Sequence, residues 1–463
     1  MESQRPTHSN PETQSGERQP FDALLKDTQR LLEKSGAEQF EIYFQRKTTT
    51  RIDSKDQQID TLSRSEDVGM SVRVIKDRRT GFSFTTALNQ AAIERMVTSA
   101  VEIARVMPED EFAGLPSYSS FVYPTVDAWD SKGVLVPTAQ KAELAKRLEA
   151  SCRKADKRIT GVRSASFSES LGEMHLIDST GEHIHHHGTT FGASITCKAE
   201  ENGDSQVGGD MHYSHFLESL DVDHVGGLAA RWATEILNAG DAPTMNCPAV
   251  LRNSVVADLI DFLSSSFSAE AIDKGRSMLA GKFGESLLSE HVTLVDDGLL
   301  AGGLASSPFD AEGCPSRKTL LIDRGFASGI LYDTYHARKQ GKESTGNAAR
   351  SIKSPPSIGT TNLLMQPGRR TPEALMDGIA KGILITDLMG LHTANSVTGD
   401  FSLGATGILI ENGKLTRPVR GFAVAGNVLE LFKEMTDIGN DLRFFGTVGA
   451  PSVRVGKISV GGK

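Results

Sequence analysis

The residue types best suited to chemistry gather at positions 183–187, His-Ile-His-His-His, where four of the chain's 12 histidines fall together. On a strand, His183, His185 and His187 share one face, and Ile184 and His186 take the other. Histidines two apart on one face can share a metal ion, so these three form a candidate ligand set. A catalytic zinc also needs an activating carboxylate, and the adjacent Glu182 would point to the wrong side. The expectation is therefore the blander one, a solvent-facing strand edge after the turn Asp178-Ser179-Thr180-Gly181.

Other stretches fail as catalytic motifs. Gly341-Lys342-Glu343-Ser344 resembles the end of a phosphate-binding loop, but a Glu separates Lys from Ser and His336 stands where the first Gly belongs. Residues 399–407 (GDFSLGATG) are not GxSxG, and a glycine-permitted turn between strands is expected there. Asp258 and Asp261 lie i, i+3 on a segment whose Val256, Leu259, Ile260, Leu263 and Phe267 make a helical apolar face, so they read as solvated outer-face acids. Asp296-Asp297-Gly298 reads as a turn.

The elements that must position these residues follow from periodicity. Phe21–Lys34 predicts a short amphipathic helix, and residues 40–86 predict antiparallel strands with a turn at 77–81. Ile93, Met96, Val97, Ala100, Val101 and Ala104 fit one helix face, with Asn89 as N-cap and Pro108 closing the segment. A connector at 109–135 leads to a second helix at 138–156. Turn signals every eight to twelve residues then predict an antiparallel sheet, and 215–240 returns to helix. From Pro248 the glycine-rich text predicts short strands and hairpins, with Glu411-Asn412-Gly413 a type I′ turn signal. The fold class expected is α+β, with a two-layer N-terminal half of antiparallel strands and helices and a β-rich C-terminal domain. The expected divisions are a disordered tail over 1–20, an N-terminal domain over 21–240 (with possible subdomains 21–110 and 136–240), and a C-terminal domain over 241–463.

Composition bounds the function. A chain of 463 residues with a net charge of −9 and no Lys/Arg-rich run offers nothing for nucleic acid. No apolar run approaches the roughly 18 residues that span a bilayer. Residues 1–18 are polar, unlike a signal peptide. Four scattered cysteines without a CxxC pair fit a reducing compartment, and a cytoplasmic location is expected.

Residues 294–348, 385–441 and the closing PSVRVGKISVGG together resemble the TldD/PmbA (TldD/TldE) family of metalloprotease-related proteins. The stretches GMSVRVIKDRRTGFSFTT and LIDSTGEHIHHHGTTFGASITCKAEENGD are similar to its N-terminal strands. The resemblance implies, for TldD-like members, a zinc motif HExxxH on a helix near the start of the C-terminal domain and a later cysteine ligand. Here the matching helix is VVADLIDFLSSSF, and the motif would fall near Asp261, Phe262 and Ser266. No histidine lies between His224 and His291, and the last cysteine is Cys314.

The chain thus resembles the PmbA/TldE type. That implies no catalytic residue and no cofactor on this chain, with zinc on a TldD-like metalloprotease subunit as heterodimer partner, the pair cutting extended or unfolded peptides. Self-association as a homodimer is the other arrangement weighed. Tyr335, His336 and Arg338, with His392, Thr398, Gly399, Asp400 and Phe401, are expected to face peptide or partner. Two rivals stand beside this reading: an independent metallohydrolase using His183, His185 and His187, and a peptide-binding scaffold without peptidase activity.

Overall fold

The computed structural model describes residues 15–462, with side chains from Ala23 onward. Its first element, α1 (Ser15–Lys34), starts before the expected Phe21, so positions 15–20 of the expected tail are helical and the remainder of that tail lies outside the described residues.

One antiparallel sheet holds the first six strands, β1 (Gln39–Lys55), β2 (Gln58–Lys76), β3 (Arg79–Thr85), β4 (Ile159–Asp178), β5 (His183–Glu201) and β6 (Asp204–Ser214). Their spatial order is β3-β2-β1-β4-β5-β6. The helix α2 (Gln90–Val106) buries the predicted Ile93, Met96, Val97, Ala100, Val101 and Ala104, and Asn89 caps it by accepting the Ala92 N–H. With α1 it packs on Phe40, Ile42, Phe44, Val72 and Val74 of β1 and β2. The connector contains α3 (Ser131–Leu135), capped by Asp130. Next come α4 (Thr138–Ala155) and, later, α5 (Val222–Thr234), which cover Phe167, Phe191 and Ile195. The helix expected across 215–240 is confined to Val222–Thr234. Residues 183–190 of β5 pair with β4 alone, because β6 first pairs at Phe191.

The remaining strands build the C-terminal half. They run β7 (Gly240–Asp241), β8 (Met245–Leu251), β9 (Leu294–Asp297), β10 (Lys318–Asp323), β11 (Phe326–Ala327), β12 (Ala348–Ala349), β13 (Ser357–Ile358) and β14 (Leu363–Met365). Then follow β15 (Lys381–Met389), β16 (Asp400–Glu411), β17 (Lys414–Asn427), β18 (Met435–Ile438), β19 (Arg443–Phe445), β20 (Val448–Ala450) and β21 (Val453–Gly461). They form one sheet in the order β18-β21-β8-β15-β16-β17-β7, a second in the order β11-β10-β9-β14-β20-β19, and a small β12-β13 pair. Between them lies α6 (Asn253–Ser264), whose Val256, Leu259, Ile260 and Leu263 join one apolar core with Ile383, Leu403, Phe422 and Val455. The fold is α+β, as the sequence reads.

Two local expectations differ, and a third holds. Residues 400–411 form continuous strand β16 rather than a turn; Gly407 serves close packing there, since a Cβ would stand 2.5 Å from the Leu384 carbonyl. Asp296 and Asp297 belong to β9, and Asp296 is buried where Asn347 and Thr361 donate to it. The expected I′ turn is present, with Asn412 and Gly413 at φ of 50° and 76°.

The two halves are joined by a buried ionic cluster. Arg73 donates to Glu312 (2.7 Å) and Glu41 (3.3 Å), Arg350 donates to Glu41 (2.5 Å), and the Tyr118 hydroxyl donates to Glu41 (3.1 Å). Arg350 also lies 4.0 Å from the ring centre of Tyr43. Charges this deep persist because each has an opposite partner.

Candidate functional site

The helix α6 forms because its apolar residues recur at helical spacing, and it is followed by a 3-10 turn (Ser265–Phe267) and α7 (Ala269–Asp273). At the positions where the zinc motif would fall, Asp261 is exposed, Phe262 is half-buried against the core, and Ser266 is fully buried with its Oγ unpartnered. A carboxylate, a phenyl ring and a hydroxyl do not make a zinc-binding set at this spacing. Asp258 sits one helical turn from Asp261 on the same outer face. Packing around its carboxyl, with the charges of Asp387 and Asp261, pushes its pKa up to about 6.

Asp387 lies on β15, which runs on through the exposed Met389 to the loop before β16. In that loop His392 and Thr398 are exposed. Thr398 Oγ1 donates to Asp400 (2.8 Å), and Asn427 donates to both the Thr398 carbonyl (2.8 Å) and Asp400 (2.9 Å). These hydrogen bonds, Asn427 first and Thr398 next, hold the Asp400 carboxyl below its ordinary value. Gly399 has φ of 84°, and a Cβ there would meet Met278 Sδ at 2.8 Å. Phe401, expected to face a ligand, is buried in the core because strand alternation turns it inward beside Leu403.

The second expected group also packs inward. The short helix α8 (Thr334–Lys339) is capped by Asp333, whose carboxylate takes both the His336 N–H and Nδ1 (2.8 Å each). Burial pulls the His336 pKa down, but Asp333 outweighs it and the net shift is upward. Arg338 donates to the Leu115 carbonyl (2.7 Å), and Tyr335 meets Phe112 edge-on. Arg338 and Tyr335 fasten the connector to the C-terminal half, and His336 is not presented at the surface.

The histidine cluster is organised by His175, which no local pattern singles out. His175 lies opposite His185 in the β4–β5 register, with Glu173 opposite His187 and Ile177 opposite His183. His175 Nε2 meets Glu173 Oε1 at 2.7 Å, and its Nδ1 meets His183 Nε2 at 2.9 Å. The His185 ring stacks on His175, while His187 turns to Trp129. The three candidate ligands therefore divide between two neighbours. Among the described residues, no group of three or more His, Cys, Asp or Glu side chains is arranged to hold a metal. His186 points to the other face, where burial first and then His187, His215 and His185 pull its pKa down to about 4.

A cleft of about 870 Å³ opens between the halves at the N-terminal end of α6. Phe216, Leu228 and Trp232 come from one side, and Leu304, Leu442 and Phe444 from the other. Arg252 forms a two-point ion pair with Glu235 (2.7 and 2.9 Å) and lies 4.0 Å from the centre of the Trp232 ring. Arg443 donates to Asp210 and to the Met211 carbonyl, tying β19 to β6 at the rim. Its lining is scattered over more than two hundred positions, so no local motif announces it.

Comparison with known proteins bears on this architecture as a whole. Residues 40–104 match PmbA/TldA metallopeptidase domain 1, residues 134–237 the central domain and residues 244–462 the C-terminal domain. The metalloprotease PmbA of Escherichia coli O157:H7 is 27% identical, over 91% of this chain and 92% of its own length. A metalloprotease TldD homologue of Haemophilus influenzae is also 27% identical, over 86% of this chain and 87% of its own. The crystal structure of TldE from Thermococcus kodakarensis superposes with a TM-score of 0.86 at 25% identity, covering 95% of this chain and all of that one.

Proposed function

The chain belongs to the PmbA/TldD family, and on that footing we propose that it is the zinc-free subunit of a two-chain peptidase whose TldD-like partner carries the metal. One observation carries the reading: α6 keeps its apolar face and its place in the core, while Asp261, Phe262 and Ser266 stand at the motif positions. The helical scaffold is present and the two histidines of the motif are not. In the partner, zinc would supply the activation of water; this chain's contribution is to bind and to shape.

The cleft supports the proposed substrate class. Its apolar walls suit an extended or unfolded peptide, and the rim strands β6 and β19 are the terminal strands of their sheets. Backbone pairing at such edges gives affinity with little sequence selectivity. The exposed His392, Thr398 and Asp400, near the acidic face of Asp258, Asp261 and Asp387, are proposed as the surface toward the partner. Four buried free cysteines support action in a reducing interior such as the cytoplasm. Mixing the chain with an HExxxH-bearing relative and following cleavage of an unfolded peptide tests this. Trp232→Ala is expected to lower cleavage by the mixture about tenfold, the scale of one lost aromatic contact, with subunit association unchanged; undiminished cleavage would remove the cleft from the account.

A further inference from the structure

His215 follows the last residue of β6 and is buried, with both ring nitrogens facing carbonyl oxygens. Nδ1 lies 2.6 Å from the Thr189 carbonyl of β5, and Nε2 lies 3.1 Å from the Gly303 carbonyl of the C-terminal half. A carbonyl oxygen only accepts, so each nitrogen needs a proton to bond there. Neutral imidazole carries one N–H and imidazolium two. Both bonds exist together only when His215 is a cation.

One side of this bridge is fixed in the N-terminal half. The buried Thr189 donates its hydroxyl to the His215 carbonyl (2.7 Å) and its N–H to the Ala128 carbonyl (2.8 Å). The same hydroxyl accepts the Asp130 N–H (3.0 Å), and the Asp130 carboxylate takes the Leu217 N–H (2.8 Å). These bonds hold His215 and Thr189 as one unit.

The other side is a rigid loop that begins the segment between β9 and β10. The Leu300 carbonyl accepts the Gly303 N–H (2.9 Å) and the Ser306 hydroxyl (2.6 Å), and the Gly303 carbonyl accepts the Ser306 N–H (3.0 Å). Asn362 supports the loop from below, accepting the Ala305 N–H and donating to Ser306 Oγ (3.0 Å each). A Cβ at position 303 would stand 2.7 Å from the Asn362 side chain, so glycine is what lets this carbonyl sit here. Leu300, Ala301, Gly302 and Leu304 wall the cleft, and Phe216, next to His215, walls its opposite side.

The geometry points to His215 as a proton-operated latch on the cleft: the imidazolium ties the 298–306 loop to the N-terminal half, and loss of the Nε2 proton to solvent releases it. Nε2 gives up its proton because its bond is the longer of the two. A nitrogen lone pair and the Gly303 oxygen then face each other, two acceptors with no donor between them. The latch is closed at low pH and opens as pH rises.

Ionisable groups on the packed elements are compatible with this. His186 of β5, with its pKa pulled down to about 4 by burial, stays neutral over the range in which the latch works. Asp130 is engaged by the Lys132, Gly133 and Leu217 N–H groups, and Asp297, at the base of the loop, takes the Leu299 N–H and lies 3.8 Å from Lys318. Glu218, on the same segment as His215, is exposed. That the loop governs a peptide site rests on the function proposed above; the latch itself does not.

Hydrogen exchange and nitrogen NMR of the full chain test the latch without any peptide, so a failed latch and a failed peptide site are told apart. At about pH 5, where histidine charges, both His215 ring nitrogens are expected to carry protons, their signals identified by loss in His215→Gln. Protection factors of the Gly303 and Ser306 amides are expected to fall about tenfold or more between about pH 5 and pH 8, the scale of one charge-assisted hydrogen bond. In His215→Gln, protection is expected to be low and independent of pH. A ring with a single proton at the low end, flat protection in the wild type, or a fall that survives in His215→Gln would each overturn the proposal. If the variant does not fold, the wild-type exchange profile decides by itself.

Discussion

Asp258 shows how a single side chain reports on the outer face of α6. Its folded pKa of about 6 exceeds the roughly 3.9 of an unfolded aspartate. Between those values the unfolded chain releases a proton that the folded chain retains. The contribution to stability is therefore full below about pH 4 and lost as pH rises toward 6. Asp258→Asn is expected to flatten that decline and to raise the melting temperature at pH 7, measured as a pH series of thermal unfolding. At the buried extreme, Glu312→Gln would leave Arg73 without its closest partner and the Thr334 N–H with a weaker acceptor. Loss of about 3–5 kcal/mol in urea denaturation is expected, the range for breaking a buried pair from one side. The histidines illustrate what one residue type alone conveys. Alternation along 183–187 was readable, but His175, which gathers His183 and His185, is brought in by the β4–β5 register, and nothing local specifies that pairing.

At the scale of elements, α6 carries the argument from scaffold to function. Leu259→Ala, on its buried face, is expected to cost about 2–5 kcal/mol. Asp261→Ala, at the first motif position but exposed, should fall within about 0.5 kcal/mol. Equilibrium unfolding of the pair separates a helix kept for packing from one kept for its outer residues. Elements with a strong local signature were legible: α2 had both its period and its Asn89 cap, and the β16–β17 turn had Asn412-Gly413. Strand β16 was not, because glycines at 404 and 407 look like turn formers until the close approach of β15 is known. Asp296 reads as a turn residue because Asp-Asp-Gly favours one, yet Asn347 and Thr361, both more than fifty positions away, supply the hydrogen bonds that let it lie in a strand.

For the whole molecule, the ionic cluster around Glu41, Arg73, Glu312 and Arg350 fixes the N-terminal sheet against the C-terminal half, and the cleft between β6, α5 and the start of α6 is a consequence of that docking. Neither feature is written in a contiguous stretch, so the α+β class and the helix lacking histidines were legible in the sequence, but the cleft was not. The central claim is that the family's peptidase scaffold persists here while the metal chemistry lies with a partner. The most direct measurement is zinc content and peptide cleavage of the purified chain, alone and then mixed with an HExxxH-bearing relative. Less than stoichiometric zinc, with cleavage only in the mixture, is the predicted result. One zinc per chain together with cleavage by the chain alone would contradict it.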